Sequence, residues 1–133
     1  MKKIFVFGNP LVKEDSLALR VAERLKGKVE GFEFVAVQGL EEVDERDFLV
    51  LDVATGIGKV EVIGKLDDLE AGHPISGHDF DLAMELKVLK KVGRLGRVKV
   101  IAIPVEYDLG KASVEVRAVL ESGNLSTPSS SLP

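Results

Sequence analysis

Short apolar segments alternate with segments of helical periodicity along this chain. Apolar runs over residues 4–7, 32–37, 48–51 and 98–103 have the length and composition of buried strands. Apolar residues recur at helical spacing from Asp15 to Gly27, from Phe80 to Gly93 and over residues 111–120. The pattern predicts an α/β fold, a three-layer, doubly wound and mostly parallel sheet of about five strands with helices on both faces.

A fifth strand is predicted from a shorter signal. Gly56-Ile57-Gly58 indicates a turn after the third strand, and residues 60–63 then alternate between apolar and polar side chains. Such alternation is typical of an edge strand, and we expect it to pair back on the third strand.

Composition narrows the class of protein. The length of 133 residues fits one domain, which we expect over residues 1–121, followed by a flexible Ser/Pro-rich tail over residues 122–133. The absence of cysteine excludes disulfides, zinc sites built on cysteine and thiol nucleophiles. A net charge of −4 argues against nucleic acid as a partner.

The apolar segments also bear on location. None approaches the roughly 18 residues that a membrane-spanning helix needs, and the first run is too short for a signal peptide. We therefore expect a cytoplasmic protein without a membrane partner. Scarce amide side chains beside abundant Lys and Glu are typical of thermophilic proteins.

Three candidate site residues follow from the predicted architecture, because ligands of doubly wound sheets bind beyond the carboxyl ends of the strands. Asp15 follows the first strand, Asp52 ends the third, and His78 precedes the second long helix. Two carboxylates and one imidazole suit a divalent metal site with open positions. The same groups suit acid–base chemistry without a metal.

Each of these residues also has a simpler interpretation. Asp15 and His78 stand where a side chain caps a helix, and Asp52 stands where it could cap a turn. His73 is interpreted as a loop residue. The sequence places no histidine or other base near Ser113, so we do not expect Ser113 to be a nucleophile. The three residues form no compact motif, so their types and positions leave these alternatives open.

Taken together, four segments resemble the nickel–iron hydrogenase maturation proteases. Residues 8–21 read Gly-Asn-Pro-Leu-Val-Lys-Glu-Asp and continue into a helix, like the strand end, acidic pair and helix that open that family. Residues 48–54 resemble its second acidic element, and residues 76–82 its third, with a histidine just before a helix. Residues 103–110 resemble its late strand–loop–helix step. The resemblance extends over residues 1–120.

The resemblance implies an endopeptidase that removes the C-terminal extension of a hydrogenase large-subunit precursor after nickel insertion. The family's metal-contacting residues fall on Asp15, Asp52 and His78, which we therefore expect to be both the catalytic and the metal-contacting residues. The implied nickel is carried by the substrate, whose thiolates supply the soft ligands that this chain lacks. The implied partner is the precursor, and the enzyme itself is expected to be a monomer.

Departures from the family pattern keep two other functions open. Ser16 and Ala18 stand where the family often has glycine, and Gln38 replaces an acid that usually follows the second strand. A non-catalytic, nickel-sensing chaperone or adaptor for hydrogenase assembly would tolerate these changes. A peptidyl-tRNA hydrolase-like esterase has a similar first strand and loop, but it needs a basic face and an early histidine that are missing here.

Overall fold

A five-stranded sheet and two helices make up the described part of the chain. The computed structural model describes residues 2–8, 16–38, 42–54, 56–63 and 97–123. The strands are β1 (Lys2–Phe7), β2 (Phe32–Val37), β3 (Phe48–Ala54), β4 (Glu61–Ile63) and β5 (Val98–Pro104), and the helices are α1 (Leu17–Leu25) and α2 (Leu109–Glu121). All five predicted strands are therefore confirmed, with ends that coincide or differ by at most three residues.

The strand order is β2-β1-β3-β5-β4. The four strands β2, β1, β3 and β5 are parallel, and β4 runs antiparallel to β5. This confirms the predicted mostly parallel α/β sheet. The expected partner of β4 was wrong, because β4 pairs with β5 and not with β3. Both sides of β3 are occupied, by β1 and by β5, so β3 has no free side to offer a returning strand.

The parallel register brings the carboxyl ends of four strands to one side of the sheet. Phe7 lies opposite Val37 across β1 and β2, and Ala54 lies opposite Pro104 across β3 and β5. We call the side marked by these four strand ends the carboxyl edge. Loops that leave this edge are where ligands bind in folds of this kind.

Side-chain alternation in β3 separates the two faces of the sheet. Leu49, Leu51 and Val53 point to one face, the helix face, where they join one apolar cluster with buried residues of α1 and α2. Phe48, Val50 and Ala54 belong to a separate cluster on the second face. The helix predicted from Phe80 to Gly93 lies outside the described residues, so helices on the second face remain a prediction.

Apolar spacing explains both helices. In α1, Leu17, Val21 and Leu25 are buried at intervals of one turn, and Gly27 follows with a φ of 75°. Such a left-handed residue commonly terminates a helix and favours glycine. In α2, the side chains that pack inward are Ala112, Val116 and Leu120. The predicted tail lies outside the described residues from residue 124 onward.

Candidate functional site

Asp52 is a carboxylate in an otherwise apolar strand. Every residue of β3 is buried, and Asp52 is only 1% exposed. Alternation along the strand puts its side chain on the second face, with Val50 and Ala54 on either side. Its Oδ1 accepts a hydrogen bond of 2.8 Å from the backbone N–H of Val53. Burying a carboxylate costs free energy, so its presence inside the strand is the strongest sign of a site.

The position of Asp52 in the sheet is equally informative. From β1 the chain passes to β2 on one side of the sheet, whereas β3 and β5 lie on the other, so the strand order reverses between β1 and β3. The last β1–β3 pair is Val6 with Leu51, and the next residue on β3 is Asp52. Asp52 therefore lies at the topological switch point, beside the crevice where doubly wound sheets bind their ligands.

Asp15 itself lies outside the described residues, but both ends of the connection that carries it are described. Gly8 follows β1 at the carboxyl edge, and Ser16 is the N-cap residue of α1. The side chain of Ser16 makes no capping hydrogen bond, and the first turn of α1 contains no acid. Helix α1 contacts β1 and β3, the two strands that border the switch point. The role of Asp15 stays a prediction.

His78 also lies outside the described residues, between Ile63 at the end of β4 and Arg97 before β5. Within the described part of the chain, no group of three His, Asp or Glu side chains could hold a metal ion. Of the three predicted site residues, the structure thus describes Asp52 alone, and the convergence of all three stays a prediction.

A second acid lies at the end of β2. The backbone N–H of Gln38, the residue just after β2, donates a hydrogen bond to the carboxylate of Glu42. Gln38 is one of three positions at which the sequence departs from the pattern of the proteases that it resembles. A carboxylate, that of Glu42, therefore lies beside Gln38 at the carboxyl edge.

A third carboxylate joins three elements at the same edge. Glu115 on α2 accepts hydrogen bonds from the hydroxyl of Tyr107, at 3.0 and 2.8 Å to its two oxygens. It also accepts one of 3.1 Å from the backbone N–H of Val60, just before β4. Lys111 lies with its Nζ 5.2 Å from the centre of the Tyr107 ring. We call Tyr107, Glu115 and Val60 the edge anchor.

The pKa values of the edge anchor reflect these contacts. The hydrogen bond from the Val60 N–H lowers the pKa of the Glu115 carboxyl, and the Tyr107 hydroxyl and the charges of Lys111 and Lys59 act in the same direction. Burial raises the pKa of the Tyr107 hydroxyl, as do its hydrogen bond to Glu115 and the charge of that carboxylate. Both shifts favour an ionised glutamate that accepts a hydrogen bond from the neutral hydroxyl of the tyrosine.

Sequence reasoning missed the edge anchor. Val60 and Glu115 are 55 residues apart, so no local pattern links them. The only available signal was that Glu115 lies on the predicted last helix, near the sole tyrosine of the chain. Ser113 on the same helix is buried, and its hydroxyl donates to the Leu109 carbonyl at 2.8 Å. The Ser113 hydroxyl therefore donates its proton within the helix.

Two further observations concern regions away from Asp52. A cavity of about 500 Å³ lies at the opposite edge of the sheet, between Lys2, Phe32 and Gly123. It includes none of the predicted site residues. Neither of the described helices is long and apolar enough to cross a membrane.

Comparison with known proteins gives a likeness in structure alone. No family model and no curated protein matches the sequence. The [NiFe] hydrogenase maturation protease HybD from Thermococcus kodakarensis superimposes with a TM-score of 0.66 at 20% identity, covering 92% of this chain and 97% of HybD. The hydrogenase maturating endopeptidase HybD from E. coli gives 0.61 at 16% identity, covering 98% and 100%. The chain has the fold of the HybD proteases.

The likeness extends over nearly the whole of each chain. An uncharacterized protein from Wolinella succinogenes also shares the fold, with a TM-score of 0.54, 15% identity and coverage of 91% and 92%. The HybD fold and the family to which four sequence segments pointed therefore coincide. Identities this low show the fold alone, and the chemistry depends on Asp52 and its surroundings.

Proposed function

We propose that this chain is an endopeptidase that removes the C-terminal extension of a nickel–iron hydrogenase large-subunit precursor after nickel insertion. The observation that carries the proposal is the buried carboxylate of Asp52 at the topological switch point of the sheet. The HybD fold and the four family-like segments support the same function. The likeness in fold is a separate line of support, whereas one of the four segments, residues 48–54, includes Asp52 itself.

In this proposal the three predicted residues recognise the nickel of the substrate. Asp52 approaches from β3, Asp15 from the connection between β1 and α1, and His78 from the segment between β4 and β5. They offer oxygen and nitrogen donors, whereas cysteine thiolates of the precursor hold the metal from the other side. The lack of cysteine in this chain is in keeping with that division.

The reaction is hydrolysis of one peptide bond. Water adds to the scissile carbonyl carbon, the C–N bond breaks, and the departing nitrogen takes up a proton as the free extension leaves. A carboxylate of the site or the substrate-borne metal activates the water. Because nickel completes the site, cleavage should depend on prior loading of the precursor.

The test compares nickel-loaded and nickel-free precursor as substrates for the purified protein. We expect a shortened large subunit only from the loaded form. Asp52→Asn should lower the rate by at least about 100-fold, since a group acting directly on the reaction contributes that much. The matched control is Asp47→Asn, just before the start of β3, where Oδ1 of Asp47 accepts the Arg97 N–H at the opposite edge of the sheet.

Equal cleavage of the nickel-loaded and nickel-free precursors would show that the reaction does not require nickel. Full activity of Asp52→Asn would show that the Asp52 carboxylate takes no part in cleavage. Stoichiometric binding of the precursor without any shortened product would favour the adaptor function, which the glutamine at position 38 also allows.

A further inference from the structure

The connection from β5 to α2 contains an unusual backbone conformation. Glu106 has a φ of 60°, and every other described residue with a positive φ is a glycine. The N–H of Tyr107 donates to the carbonyl of Pro104 at 3.3 Å, which makes Glu106 the third residue of a four-residue turn. Turns with a positive φ at this position favour glycine, because other side chains collide with their own backbone.

The contacts of Glu106 do not offset this unfavourable conformation. Its side chain is exposed, and its carboxylate makes no hydrogen bond or ion pair with any part of the chain that the structure describes. The turn is held instead by its neighbours. The Val105 N–H donates to the Ala54 carbonyl at 3.1 Å, and the Tyr107 hydroxyl is bound by Glu115. Glu106 is therefore fixed between two anchored residues while its own side chain is unused.

The turn lies at the carboxyl edge, beside the strand that carries Asp52. Ala54, which accepts the Val105 N–H, is the last residue of β3 and lies two residues after Asp52. An exposed acid on a fixed turn at this edge is oriented before any ligand arrives, which reduces the ordering cost of binding. Strained residues that persist without a structural contact are concentrated at binding sites.

We propose that Glu106 is a specificity-determining residue that pairs with a Lys or Arg side chain of the polypeptide substrate. The inference rests on the proposed endopeptidase function and adds a cationic contact beside the nickel-recognising residues. A carboxylate in this position favours a basic group over neutral or acidic ones. It predicts that binding of the precursor weakens as salt concentration rises.

The experiment separates the carboxylate from the backbone strain. Glu106→Gln removes the charge and keeps the side-chain size, whereas Glu106→Gly removes the charge and relieves the unfavourable φ. Both variants should raise KM, and the Kd for the precursor, on the order of threefold to fivefold at low salt. The kcat should stay within about twofold of wild type, since an ion pair away from the reacting bond contributes mainly to binding.

Thermal stability should move independently of binding. Glu106→Gly is expected to raise Tm by roughly 3 °C, because glycine suits the turn, while it loses as much affinity as Glu106→Gln. A purely structural role would predict the reverse, a glycine variant that binds as well as wild type. Glu23→Gln, an exposed change on α1, is the matched control for the loss of one negative charge.

Each outcome decides the proposal. An unchanged KM and Kd in Glu106→Gln, or a loss confined to kcat, would overturn it. If the wild-type protein binds precursor without cutting it, the endopeptidase function fails, and the Kd values alone still decide the role of Glu106. If it does not bind precursor at all, both proposals are overturned.

Discussion

At the scale of single residues, Asp52 has opposite effects on stability and on the proposed reaction. A buried charge stabilises a fold less than a neutral group of the same shape, since it must be taken out of water. We therefore expect Asp52→Asn to leave Tm unchanged or higher while it lowers the cleavage rate by at least about 100-fold. Thermal unfolding and precursor cleavage measured on one preparation provide the check. A large fall in Tm would show that the carboxylate has a structural role.

Glu115 gives a prediction about acid stability. Folding lowers the pKa of this carboxyl, so the ionised form stabilises the native state at pH values above the ordinary carboxyl pKa of about 4.3. That stability is lost as the pH falls through the lowered pKa of the folded state. Glu115→Gln should flatten the fall of Tm on the acid side. Glu121→Gln on the same helix, which breaks an exposed pair with Arg117, is the control for losing a helix carboxylate.

Tyr107 gives the corresponding prediction at alkaline pH. Its pKa is raised by folding, so the protonated hydroxyl stabilises the native state below the ordinary pKa of about 10, and this stability is lost as the pH rises through the higher value of the folded state. Tyr107 is the sole tyrosine, so tyrosinate absorbance reports it directly. We expect a midpoint above 10 in wild type and a lower one in Glu115→Gln. Identical midpoints would contradict the coupling.

At the scale of elements, Asp108 is expected to fix the start of α2. Its Oδ2 accepts a hydrogen bond of 2.8 Å from the Lys111 N–H, which satisfies one of the free donors in the first turn. Asp108→Ala should lower the free energy of unfolding by about 1 kcal/mol. Asp108→Asn, which keeps an acceptor, should retain most of that stability. Equal losses in the two variants, measured by urea unfolding, would contradict a capping role.

The elements were more predictable than their pairing. Apolar runs and helical spacing depend on neighbours in sequence, so the pattern located all five strands and both described helices. The partner of β4 was mistaken, because β5 begins 35 residues after β4 ends and nothing in the turn at Gly56 indicates it. Asp52 was expected at the end of its strand, because a charged residue after an apolar run usually marks a strand end. The strand β3 in fact continues to Ala54, since its last three residues still pair with β5 and are buried.

At the scale of the whole molecule, the candidate site follows from topology more than from motif. The position after a strand pointed to Asp52, and the strand order then put that residue at the switch point. The edge anchor could not be predicted, because it joins Val60 to Glu115 through a fold that only the complete sheet creates. Glu106 was part of a family-like segment, but its conformation depends on anchors at Ala54 and Glu115.

The last prediction concerns the whole fold, because it requires three distant segments to meet at one point. We expect Asp15, Asp52 and His78 to surround a common centre, with donor atoms about 2 Å from a bound divalent ion. Crystals grown with nickel should show an anomalous peak among these side chains. In cleavage assays, Asp15→Asn and Asp52→Asn should be far from additive, because residues that act as a unit are each required.

The same assay offers a control for this coupling. Asp47→Asn combined with Asp15→Asn should give additive effects, since Asp47 lies at the opposite end of β3 and contacts Arg97 there. Side chains of Asp15 and His78 that point to separate regions of the surface would refute the shared site. Additive losses for Asp15 and Asp52 would do the same without a crystal. Asp52 would then be a buried acid of β3 without partners from the other two segments, and the nickel-sensing part of the proposal would have no structural basis.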